Sequence, residues 1–143
     1  RLGLKDDAHL KHQEEGGAER AAMEAALDKP SLYDAALAQL AKAVGLPEVK
    51  RDVRAAYAPS ADVEQAWLKV YRDPEAHWEL YQLAEKLIDI DDAFLTWRHK
   101  HVLTVERIIG GKRGTGGTEG VGYLQRTLAR RAFPELWSLR TAL

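Results

Sequence analysis

His101 is the residue whose type and setting best suit chemistry. It stands on a stripe of apolar residues, Leu80, Leu83, Leu87, Ile90, Phe94, Trp97, Val105 and Ile108, spaced by three or four. That recurrence is one face of a helix. A neutral imidazole is a good ligand for a transition metal, and its second ring nitrogen then needs a partner that fixes the tautomer. A lone histidine on an apolar stripe is ordinarily a hydrogen-bonded core residue, so periodicity alone leaves both readings open. Nine residues further on begins Gly110–Gly120, with six glycines around Thr115 and Thr118. Glycine at that density ends a helix and allows positive φ and close approach of backbone to a ligand.

Other chemistries fail on spacing. The phosphate-loop pattern G-x-x-x-x-G-K-[ST] breaks because Gly117 follows Gly116 where lysine is required, and G-x-G-x-x-G breaks at Glu119. No strand precedes the loop, as either motif requires. A plain flexible connector would account for the glycines but not for Thr115 among them. Glu85, Asp89, Asp91 and Asp92 suggest a di-iron bundle, but that site needs Glu-x-x-His, which is absent. The cluster is expected to be a charged outer face. His-Glu-x-x-His is absent too, which removes a zinc protease. His99 lies about 200° around the helix from His101, so the two cannot chelate one metal, and His99 is expected in solvent. His77 is expected to pack or cap, and His9 and His12 to be solvated. Trp67, Trp78 and Trp137 read as core or interface anchors. No acid, base or nucleophile is assigned a catalytic role in this chain.

The chain of 143 residues is one domain's worth, with a formal net charge of -1. That balance gives no electrostatic case for nucleic acid or an anionic membrane. No apolar run approaches the ~20 residues of a membrane span. The sequence has no cysteine, which excludes disulfides and thiolate metal sites and suits a reducing, cytoplasmic location. The first residue is Arg1, and the chain is expected to be a fragment of a longer protein.

The elements that must position His101 read as helices throughout. Residues 1–60 form a polar opening segment followed by short helices: one near Gly17–Asp28, then one capped by Ser31 and stopped by Gly45. A short turn or helix is possible within 47–58. Residues 61–143 form the second part, opening with a helix over Ala61–Tyr71. The pattern then predicts one very long helix over about 74–109, with Asp73 as cap and Pro74 at its first position. Its polar stripe is Glu85, Asp89, Asp92, Thr96 and His99. Such a helix would be roughly 50 Å long, against a radius of gyration of about 15 Å for a compact chain of this size. It must therefore bury part of its face against something else. Helices resume over Glu119–Arg131 and Pro134–Leu143. The fold class is all-α, a helical bundle built around the long helix.

The stretch Trp97–Leu124 resembles a family signature. Trp97, Arg98 and His101 match Trp-Arg-x-x-His. Gly110, Lys112, Gly114, Thr115, Gly116, Gly117, Thr118, Gly120, Tyr123 and Leu124 match the glycine-rich run that follows it. In these residues the chain is similar to the tryptophan 2,3-dioxygenases, and Trp67–Phe94 and the tail from Phe133 look like their bacterial members. The resemblance implies a cytoplasmic, heme-dependent enzyme of the kynurenine pathway. It would open the indole ring of L-tryptophan with O2 to give N-formyl-L-kynurenine. His101 would be the proximal ligand of ferrous heme b, with Phe94, Trp97 and Val105 as a dry wall beside the porphyrin. Thr115, with Gly116, would bind the amino acid end of the substrate under a closing loop, while Lys112 and Arg113 face solvent or a propionate. The family's distal histidine, indole pocket and carboxylate-binding arginine lie in its N-terminal half, and none has an equivalent here. The chain would therefore hold the iron ligand and the loop but not a whole site, and alone it would be inactive or even heme-free. Its partners would be that missing half and other subunits of a homotetramer. The competing class is a non-catalytic helical assembly or heme-binding module, which has no need of a substrate loop.

Overall fold

The computed structural model describes residues 17–47, 57–112 and 120–143. Among them every regular element is helical: α1 (Ala18–Leu27), α2 (Leu32–Val44), α3 (Ala61–Arg72), α4 (Trp78–Ile109), α5 (Val121–Thr127) and α6 (Pro134–Ser138), then a 3-10 turn over Leu139–Thr141. The all-α bundle built around one very long helix is the architecture observed. His9, His12, residues 48–56 of the short element expected within 47–58, and Arg113–Glu119 of the glycine loop, with Thr115 and Gly116, lie outside the described residues. No helix among the described residues is long and apolar enough to cross a membrane.

Local chemistry explains the helix ends. Ser31 and Asp34 form a capping box at the start of α2: the Ser31 hydroxyl accepts from Asp34 N and Asp34 accepts from Ser31 N. Gly45 stops α2 with φ of 75°, the left-handed region that glycine enters freely. The long helix starts at Trp78, not at residue 74 as the sequence reading has it. Asp73 Oδ1 accepts from Ala76 N at 3.1 Å and turns the chain through 74–77. Pro74 therefore lies in a turn outside the helix. His77 becomes the N-cap residue but makes no side-chain capping bond.

The core forms where α2, α3, α4 and α6 converge. Tyr33, Ala36, Leu37 and Leu40 give α2 a buried face at helical spacing. In α3, Val63, Ala66, Trp67, Leu68, Val70 and Tyr71 are all buried, more of its circumference than a surface helix hides. Phe133, Leu136 and Leu139 close the cluster from the C-terminal side.

A buried carboxylate ties these elements together. Glu135 is 1% exposed. It accepts from Tyr33 Oη of α2 at 2.7 Å, from Ser60 N before α3 at 2.9 Å, and from the Tyr57 hydroxyl. A buried charge needs such donors, because leaving water is otherwise very costly. At the other edge Glu85 accepts from Tyr71 Oη and from Arg140, each at 2.6 Å, which fastens α4 to the C-terminal turn.

Burial, and then the charge of Glu135, push the Tyr33 phenol far above its ordinary value of about 10. The folded chain thus resists an ionisation that the unfolded chain undergoes. Stability from this group is complete below about pH 10 and falls as pH rises beyond it. Tyr33→Phe is expected to cost about 2 kcal/mol at neutral pH, the size of a hydrogen bond to a charged group. It should also remove part of the alkaline loss, leaving the share of Tyr71, which burial shifts in the same direction. Urea midpoints at about pH 8 and about pH 11 test this; an unchanged alkaline loss in Tyr33→Phe would contradict it.

Candidate functional site

Around α4 the apolar positions divide into two faces. Leu80, Ala84, Leu87, Asp91, Leu95 and Val102 are buried. Their mean direction lies roughly 80° around from His101, at ~100° per residue. The stripe through His101 is covered only in its N-terminal part, at Leu80 and Leu87. Further along it opens to solvent at Ile90, Trp97 and Ile108, the last two 54% and 75% exposed. Of the expected dry wall beside His101, Phe94 and Val105 are half-buried and Trp97 is exposed on this chain.

On that stripe three rings stack in a column. Phe94 and Trp97 lie 5.5 Å apart with planes 14° from parallel. Trp97 and His101 lie 5.0 Å apart and only 7° from parallel. The spacings of three and four make the column possible, since such residues neighbour each other on a helix surface. The half-buried imidazole of His101 has one face on the indole and no hydrogen bond to any described residue. His99 points elsewhere: it is exposed, and its Nδ1 sits 2.8 Å from Leu95 O. The sequence reading separates the two histidines in the same way.

The described residues fit a metal that brings its own equatorial ligands. None of them gathers three His, Cys, Asp or Glu side chains into a metal-binding group, so a metal here would draw on His101 alone. The imidazole has a nitrogen to give, and the exposed Trp97 stacked on it, with Ile108 about 10 Å further along the same stripe, offers apolar surface to a flat macrocycle. An open groove of about 380 Å3 lies on the other flank, lined by Thr96, His99, Lys100, Leu103, Leu128 and Arg131 among others. His101 does not line it.

Both ends of the glycine loop are described. The chain leaves α4 at Gly110 with φ 57° and ψ -138°, and enters α5 from Gly120 with φ 60° and ψ -120°. Side chains rarely tolerate these angles, so both positions demand glycine. Lys112 is exposed, as expected.

The return of the chain is fastened to α4 by two side chains that the sequence reading does not single out for this role. Arg98 Nη1 donates to Thr127 O at 3.1 Å and to Arg130 O at 2.8 Å. It thereby supplies donors at the C-terminal end of α5, where helix carbonyls lack partners. Burial lowers the Arg98 pKa, and the charge of Asp91 opposes that effect. Asp91 itself is a correction. The sequence reading puts it on a charged outer face with Glu85, Asp89 and Asp92, yet it is 0% exposed. Both its oxygens accept from Ala132 N at 3.1 Å, and Oδ2 accepts from Trp137 Nε1 at 2.8 Å. Asp91 falls on the same face of α4 as Ala84, Leu95 and Val102, the one signal in the sequence that separates it from its neighbours. Asp89 and Asp92 are exposed as expected.

Residues 62–143 match the family model described as tryptophan 2,3-dioxygenase. The chain is 63% identical to the tryptophan 2,3-dioxygenase of Caulobacter vibrioides over 145 residues, covering 99% of this chain and 55% of that protein. Against that of Ralstonia pickettii the identity is 52%, covering 99% and 52%. Against that of Pseudomonas aeruginosa it is 53%, covering 99% and 50%. The chain thus spans about half the length of the curated relatives it matches.

Asp91→Ala would leave the Ala132 amide and the Trp137 indole N–H without their acceptor. The expected loss is about 2–4 kcal/mol. Asp92→Ala, one position along on the exposed face, should stay within about 0.5 kcal/mol of the parent. Chemical denaturation followed by tryptophan fluorescence compares the two; similar losses would refute the assignment of Asp91 as the buried partner.

Proposed function

Since the chain belongs to the tryptophan 2,3-dioxygenase family, we propose that it is the C-terminal portion of a heme-dependent dioxygenase. The complete protein opens the indole ring of L-tryptophan. The C2–C3 bond breaks, both atoms of O2 enter the product, and N-formyl-L-kynurenine leaves. Heme b in its ferrous state, once bound, supplies the oxygen chemistry. The observation that carries the reading is His101: an imidazole free of hydrogen bonds to described residues, stacked on Trp97, on an exposed apolar strip.

In this reading His101 would hold the heme iron through its imidazole. Trp97 limits the rotation of the imidazole by stacking on it. Thr115, with Gly116, takes the amino acid end of L-tryptophan, because a hydroxyl both donates and accepts and so serves a carboxylate and an ammonium group. The glycines at both ends of the loop let it fold over the substrate. The remaining groups of the site would come from the missing N-terminal half, so this chain would supply the imidazole that holds the heme iron and the loop, and no proton-transfer group.

The exposed strip also supports an association with further protein. A few hundred Å2 of apolar surface left wet would cost several kcal/mol at ~25 cal/mol per Å2, comparable with the ~5–15 kcal/mol net stability of a domain. In the complete protein the N-terminal half and neighbouring subunits of a homotetramer cover it.

In the complete protein, His101→Ala is expected to abolish stable heme binding and turnover, while His99→Ala is nearly silent. Soret absorbance of the purified variants decides this, and equal losses would refute the assignment. The isolated chain is expected to self-associate through α4. Sedimentation as a well-folded monomer at micromolar concentration, without binding of a dye for exposed apolar surface, would contradict that.

A further inference from the structure

Arg98 is a half-buried cation less than one helical turn from His101. Two contacts fix where its charge lies. Nη1 donates to Thr127 O and Arg130 O, and the guanidinium carbon stands 4.5 Å from the centroid of the Phe94 ring. Phe94 is the base of the column that runs through Trp97 to His101. The charge is therefore held near the level of Phe94, about 10 Å along the helix from His101. Other charges near the imidazole are placed differently. Lys100, Glu106 and Arg107 are exposed, where water and salt screen them. Asp91 is buried, but it lies about 15 Å from His101 along the helix. Its opposing field there is weaker than that of Arg98.

We propose that Arg98 is a fixed cation that favours the ferrous over the ferric state of an iron held by His101. The ferric state carries one more positive charge, so a nearby cation disfavours it. Burial and the groups around an axial ligand are known levers on heme potential. At an effective dielectric of about 20 and about 10–15 Å, a cation discounted for its partial exposure changes the ferric-to-ferrous ratio by about threefold to tenfold. The carbonyls of Thr127 and Arg130 hold the charge in place without neutralising it, since they bring dipoles and no net charge. Arg98 thus acts on the metal through space and touches neither the iron nor the substrate. The proposal rests on the reading that His101 holds the iron.

The test is a spectroscopic redox titration of the complete heme-loaded protein, with dithionite as the electron source and dye mediators. Arg98→Met and Arg98→Gln both remove the charge; the first keeps an apolar stem and the second keeps a donor for the carbonyls. At the parent's midpoint potential, both should raise the ferric-to-ferrous ratio by about threefold to tenfold, and by similar amounts. Arg98→Lys keeps the charge and should stay within about twofold of the parent. Lys100→Met, beside the histidine but on an exposed residue, should also stay within about twofold. An unchanged ratio in the two neutral variants would overturn the proposal. So would a rise in Arg98→Lys as large as theirs, because packing and not charge would then set the ratio. An equal rise in Lys100→Met would overturn it too. If Arg98→Met does not fold, Arg98→Gln against Arg98→Lys decides by the same readout. Failure of the underlying reading would show separately, as heme retained in His101→Ala.

Discussion

The structure depends on a negative charge taken wholly out of water. Asp91 sits on the long helix among apolar residues, and its carboxylate is compensated by the Ala132 amide and the Trp137 indole N–H. Arg98, two turns along the same helix, adds a favourable field and fastens the two carbonyls just before that amide. Together they hold the chain from Thr127 to Ala132 against α4. Without that seam the C-terminal elements would have no fixed place on the helix, and Phe133, Leu136 and Leu139 could not close the core beneath them. An apolar contact in its place would hold the segment but would not set its register, since dispersion has no direction and a hydrogen bond does.

The same device recurs at Glu135, where a buried carboxylate gathers three donors, one from α2 and two from the segment before α3, all distant in sequence. Among the described residues both carboxylates take their compensation from hydroxyl, amide and indole dipoles, with no directly bonded cation. Such groups make folding selective: a wrong packing would leave a buried charge without donors, which costs far more than a misplaced methyl.

The helices, their order and their class were legible, because spacing by three and four and the chemistry of Ser31, Gly45 and Pro134 are local facts. The identity of His101 as the residue to explain was legible for the same reason, and so was its separation from His99. What was not legible depends on partners far away in sequence. Asp91 and Asp92 differ in the sequence only by the helix face on which they fall; the donors that compensate Asp91, from Ala132 and Trp137, lie 41 and 46 residues away. Glu135 carries no local mark of its three donors. The start of the long helix was misplaced because Asp-Pro suits both a helix cap and a tight turn, and the Asp73–Ala76 bond decides for the turn. The roles of Thr115 and Gly116 rest on family resemblance, since both lie outside the described residues.

The long helix also behaves as a beam clamped at one end. Its last buried side chain is Val102, and every residue from Leu103 to Ile109 is exposed or only half-buried. The free arm is about 10 Å long at ~1.5 Å per residue. His101 stands at the root of that arm, where bending displaces a side chain least, and the glycine loop departs from its tip, where displacement is greatest. One continuous rod thus gives a stiff mount at His101 and a more compliant one at Gly110, where the glycine run begins.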